Sequence, residues 1–170
     1  MLGDVMHRTT MERRMGVNLD AYDPAEWLVD PALPGCPDRY WKVEGDLVIE
    51  MGEGERAAKD ADLLDAAKFR RIDEIGEEVT AYIEGRYDKD RKLTMVTMLD
   101  EARDLGYTAR RDYLLQVWSW VQTCMTSMYI AQGTVAQVET EEAVYAVAID
   151  YASLTAADPL CSIYGAMILS

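Results

Sequence analysis

The sequence predicts a mainly α protein, a helical bundle whose long N-terminal helix is preceded by a β-hairpin and an extended Pro-containing arm. Three observations lead there. After Asp112 the chain never uses another Lys, Arg or His, so residues 113–170 carry only Glu139, Glu141, Glu142, Asp150 and Asp158 among Leu, Val, Met, Trp, Tyr and Ala. Between Leu64 and Ile83 apolar residues recur at steps of three and four, the period of a helix face. Around Gly45-Asp46, two short runs rich in β-branched and aromatic residues read as paired strands. The expected segments are an arm over 1–38, a hairpin over 39–52, a long helix and turn over 53–92, and a helical bundle with an apolar tail over 93–170.

Residues 1–38 show little periodicity and much punctuation, with Asp23-Pro24, Asp30-Pro31, Leu33-Pro34-Gly35 and Cys36-Pro37. Each Pro pushes the residue before it out of the helical region, which predicts an extended arm with at most a helical turn near Ala25–Leu28. Trp27 is too apolar to leave in water and is expected to be pinned to another surface. Next, Tyr40–Glu44 and Leu47–Met51 flank Gly45-Asp46, where Gly accepts the positive φ of a type I′ or II′ turn. Such a hairpin is marginal alone and must lean on something.

From Gly54 to Arg86 one long helix is expected. Its residues Ile72, Ile75, Val79 and Tyr82 step 3-4-3 as an a/d seam does, with charges of both signs elsewhere and Gly76 as a point of close approach. After a turn over Gly85–Lys92, Leu93–Leu105 and Thr108–Gln132 predict two more helices, separated at Gly106, with Thr108 as N-cap of the second. Leu114, Val117, Trp118, Val121, Met125, Met128 and Tyr129 form a broad apolar stripe with Trp120 and Cys124 at its margins. A fourth helix is expected over Thr140–Ala156, and the tail Leu160–Ser170 is apolar without an assigned element.

Composition excludes several classes. A formal charge of −14, from 17 Lys and Arg against 31 Asp and Glu, leaves no basic patch for nucleic acid or an anionic membrane. The longest apolar run, Ala143–Ile149, falls far short of the roughly 20 residues a spanning helix needs, and Met1–Met15 does not read as a secretory signal. Cys36, Cys124 and Cys161 lack a CxxC spacing and read as reduced thiols, and a single, solvated His7 cannot build a zinc cage or a catalytic relay in one chain.

Three motifs invite a functional reading and lose to a simpler one. Gly52-x-Gly54-x-x-Ala57 has the spacing of a dinucleotide fingerprint, but Glu53 and Glu55 would face a pyrophosphate with like charge. Asp88-Lys-Asp90 begins like a calcium loop, yet Lys92, Leu93 and Leu99 stand where ligands and a glycine are required. Asp150 and Asp158 fit caps or surface groups better than metal ligands, and no cofactor is expected.

The order of segments over about Tyr40 to Pro159 resembles small structural proteins of tailed bacteriophages, of the fibre, hinge or tail-accessory kind. The residues that carry the likeness are Trp41-Lys-Val-Glu-Gly45-Asp-Leu-Val-Ile-Glu-Met51, Arg71-Ile72-Asp73, Arg91-Lys-Leu93, Ala102–Gly106 and Tyr113–Trp120. The arm of residues 1–38 and the tail have no counterpart in it. The resemblance implies a non-enzymatic virion component, made in the host cytoplasm, often trimeric, which joins tail, fibre or capsid parts. No site residues carry over from it. The candidate interface residues are Trp27, Trp41, Ile72, Ile75, Val79, Tyr82, Trp118 and Trp120, with partners expected to be further copies of the chain and other virion proteins. The alternative is an intracellular adaptor or assembly chaperone with a helical partner-binding surface. A third reading, a metal-assisted hydrolase, would rest on residues such as Glu142 or Asp150.

Overall fold

The computed structural model describes residues 1–159, so the apolar tail lies outside the described residues. The protein is mainly helical, with β-structure before a long helix. It divides into two compact units, Met1–Asp62 and Leu63 onward.

In the first unit the expected extended arm is instead a folded sheet. Strands β1 (Leu2–His7), β2 (Arg13–Asn18) and β3 (Trp27–Val29) pair antiparallel in the order β2-β1-β3. The proline punctuation that predicts an arm falls after β1 and β2 and around β3, where it bounds strands without entering one. The first two strands are short, carry Arg, Asp and Gly, and hide their alternation behind a bulge between Gly3 and Val5. Gly3 leaves room for the Asp30 carboxylate, which would lie 2.7 Å from a Cβ there and which accepts the Asp4 amide at 2.7 Å. Val5, Met6 and Leu28 are buried by this sheet.

The hairpin is found as expected, β4 (Trp41–Glu44) pairing with β5 (Leu47–Glu50). Gly45 has φ +61° and Asp46 stays at negative φ, the pattern of a type II′ turn. What it leans on is the N-terminal sheet: Val48 joins Met6 and Leu28 in one apolar cluster flanked by Met11, Leu33, Trp41 and Val43. Arg8 ties the two together, donating to the Gly45 carbonyl and the Asp46 carboxylate at 2.7 Å each and to the Pro24 carbonyl at 3.1 Å. His7 is not merely solvated: its Nδ1 accepts the Thr9 and Thr10 amides, and its ring meets Trp27 edge-on at 4.9 Å.

Helix α1 (Glu53–Glu84) begins in the first unit and continues into the second. Its start is held by the hairpin, through Lys42 to Glu55 at 2.6 Å, Arg56 to Glu50 at 2.7 Å and Tyr40 to Asp60 at 2.8 Å. Glu55 also accepts the Gly52 amide, so the glycine-rich turn is closed by the chain's own carboxylate.

The second unit adds α2 (Lys89–Asp104), α3 (Thr108–Gln137), α4 (Glu141–Ala146) and α5 (Tyr151–Ala156). Asp88, the first residue of the rejected calcium loop, is the N-cap of α2 and accepts the Arg91 amide at 2.8 Å. At α3 the cap position belongs to Tyr107, without a side-chain bond, and Thr108 is already helical. The single fourth helix is two short ones, because Val147 turns extended and Asp150 starts a new helix by accepting the Ser153 amide at 3.1 Å. Those hydrogen bonds from Ser153, its hydroxyl first, hold the Asp150 carboxyl below the ordinary range.

One apolar cluster organises this unit. It takes Ala67, Ile75, Val79 and Ile83 from α1, Met95 from α2, Leu114, Val117, Trp120, Cys124 and Met128 from α3, Val144 from α4 and Leu154 from α5. At the crossing of α1 and α3, Gln132 donates to the Ile72 carbonyl at 2.9 Å, and Gly76 leaves the room beside that amide.

Candidate interaction surface

The structure divides the eight expected interface residues sharply. Ile75 and Val79 are fully buried inside their own chain, and Trp120 is 3% exposed. The 3-4-3 seam of α1 is therefore core, with Ile72 and Tyr82 half-buried against the same cluster. It is occupied by α3 and is not open to another subunit. Trp27 and Trp41 are half-buried in the first unit: Trp27 sits beside Tyr22 at 5.0 Å with the Arg14 guanidinium over its ring at 5.2 Å, and Trp41 donates to the Cys36 carbonyl at 2.9 Å. Of the eight, only Trp118 is exposed, at 56%.

Trp118 belongs to a second stripe on α3. Leu114, Val117, Cys124, Met128, Ala131 and Val135 are buried, with half-buried Val121 among them, at steps of three and four. One residue further on, Leu115, Trp118, Gln122, Met125 and Tyr129 repeat the same steps, rotated about 100° around the helix. Leu115, Trp118 and Tyr129 are exposed while Met125 is half-buried. From Tyr113 to Val138 no side chain carries a charge. Beside Trp118, α2 presents exposed Val96. A small apolar cavity of about 60 Å³ lies between the helices, lined by Tyr87, Met95, Val96, Leu99, Trp118 and Val121 among others.

The placement of Trp118, Tyr129, Trp120 and Cys124 corrects the expected stripe. It placed the first two on the core side and the last two at its margin, and the structure reverses them. On a helix that carries two adjacent apolar stripes, spacing alone does not mark which of them is inside. Trp120 goes in because its indole N–H has a partner there, the Leu154 carbonyl at 2.8 Å, and its ring meets Tyr82 and Tyr87 at 5.9 and 5.5 Å.

A polar group at the other end of the unit was missed altogether. Asp158, expected as a cap or surface group, is buried, accepts the Tyr87 hydroxyl at 3.0 Å and pairs with Arg86 at 2.9 Å. Arg86 also lies 4.0 Å over the Tyr82 ring and donates to Thr155. Nothing local marks Asp158, because its partners are more than seventy residues earlier in the chain. Tyr87 and Asp158 are both closed off from solvent, and the group fastens the end of α5. Among the described residues no three His, Cys, Asp or Glu side chains converge as metal ligands, and no helix is long and apolar enough to cross a membrane.

Burial, reinforced by the Asp158 charge, raises the Tyr87 phenol far above its ordinary 10.0 and the Cys124 thiol from 9.0 to about 11. Both groups are folded in their neutral forms. Their contribution is thus complete below pH 9.0 and is lost as rising pH ionises the unfolded chain first and then the folded one. The melting temperature should fall from about pH 9 through about 11, and the Cys124→Ala variant should begin its fall at higher pH. A melting temperature constant from pH 8 to 11 would contradict it.

The fold and surface define a mainly α protein with a small antiparallel β unit at its N-terminal end and one uncharged, apolar helix face. No protein-family model, no curated protein and no solved structure matches this chain.

Proposed function

We propose that the chain is a non-enzymatic structural protein of a tailed-phage particle, a homo-oligomeric connector or fibre or tail accessory that joins virion parts. Its second unit acts as a helical bundle, three copies of which assemble. One observation carries the assembling role: α3 keeps Leu115, Trp118 and Tyr129 in solvent along a face with no charged side chain, in a chain whose net charge is −14. Surfaces left free in water mix charges, whereas aromatic, uncharged faces are the compositional mark of a contact. The place of assembly, a phage particle, rests on the resemblance of the segments from Tyr40 to Pro159.

Mass spectrometry of purified particles of the encoding phage tests the reading. The chain should be present in a fixed ratio to the other virion proteins. Recovery from infected cells but not from finished particles would overturn it in favour of the adaptor or assembly chaperone.

A further inference from the structure

We infer that the partner of the exposed α3 stripe is the same stripe on a second copy of this chain. The inference deepens the assembling role proposed above and rests on it for its biological setting. Leu115, Trp118, Gln122, Met125 and Tyr129 step 3-4-3-4, the spacing with which one helix follows another in a supercoiled pair. The buried stripe beside it has the same period and is covered by the chain's own α1, α2, α4 and α5. Among the described residues the outer one keeps Leu115, Trp118, Gln122 and Tyr129 exposed, with Met125 half-buried against the core.

Charge chooses the occupant. At −14, copies of the chain repel one another over most of their surfaces. Repulsion is least where charge is absent, and between Tyr113 and Val138 it is absent. A self-contact there buries no charged side chain of α3, the nearby Lys92 of α2 being held by Glu84, whereas a strongly charged partner would find no counter-charge on α3 to meet. The polar side chains of this helix lower the cost further: the hydroxyls of Thr123, Thr126 and Thr134 donate to Ser119, Gln122 and Ile130 carbonyls of α3 itself, at 3.0, 2.8 and 2.9 Å. They need no water to be satisfied. Gln122, the polar member of the stripe, can meet its counterpart and set register, as single polar residues do in coiled coils. Trp118 is the anchor, a residue type that dominates binding when an interface closes over it.

Light scattering of the full chain across concentration, with circular dichroism beside it, tests this. The wild type should weigh a multiple of 19.2 kDa. Trp118→Glu with Tyr129→Glu should raise the dissociation constant at least thirtyfold or so and leave the helical signal and melting curve of a folded monomer. Phe69→Glu, at a still more exposed apolar position on α1, should leave the mass unchanged. An oligomer that survives the double substitution overturns the stripe as seam while leaving a structural role intact. A wild type that stays at 19.2 kDa at every concentration overturns self-association itself, and the particle measurement then decides the structural role separately.

Discussion

Val79→Asp is expected to unfold the second unit and not to release intact monomers. Val79 has no exposed surface and sits in one cluster with Ile75, Ile83, Val117 and Trp120. A carboxylate placed there has no cation to pair with inside the cluster, so it must be buried charged, be buried protonated, or drag the helix open. Each route costs several kcal/mol, against a total stability of about 5–15 kcal/mol for an ordinary domain. Ile75→Val, which removes one methyl group at an equally buried position, should cost only about 1 kcal/mol and calibrates the effect. Circular dichroism melts read both. A helical, cooperatively melting Val79→Asp chain at room temperature would mean that α1 faces a subunit boundary and not its own core.

Asp158→Ala should cost roughly 3 kcal/mol, the second large loss. The aspartate accepts the Tyr87 hydroxyl on one oxygen and pairs with Arg86 on the other, at 3.0 and 2.9 Å. Removing it leaves the buried phenol without that acceptor and a mostly covered guanidinium without that counter-charge. Asp158→Asn should lose less, since its carbonyl oxygen can still accept from Tyr87 while only the charge is gone. Chemical denaturation of the three proteins orders them wild type, Asn, Ala. Equal stability of the Ala variant would show that the contact adds nothing to holding α5.

The experiments separate two kinds of apolar position that look alike in the sequence. Val79 and Trp118 both sit on a 3-4 stripe, yet a charge should unfold the chain at the first and only dissociate copies at the second. Asp150 and Asp158 likewise read as equivalent acids near one helix end. Asp150 is indeed a cap, because capping needs only the next turn of backbone, whereas the role of Asp158 is created by Arg86 and Tyr87 arriving from α1 and its turn.

What the sequence determined by itself is what short-range physics writes into it. The hairpin around Gly45-Asp46 follows from strand propensity and one residue able to take positive φ. The long span of α1 and the existence of α2 and α3 follow from periodicity, and Asp150 as a cap or surface group from the reach of its carboxylate to the next turn, whereas the Asp88 cap, read in the sequence as part of a turn, came only with the structure. Tertiary structure decided the rest. It made a sheet of residues 2–29, because pairing between distant strands outweighs prolines that stand outside them. It split the last helix at Val147, and it chose which of two adjacent apolar stripes on α3 turns inward. That choice rests on partners such as the Leu154 carbonyl for Trp120, and no neighbour in the chain announces it.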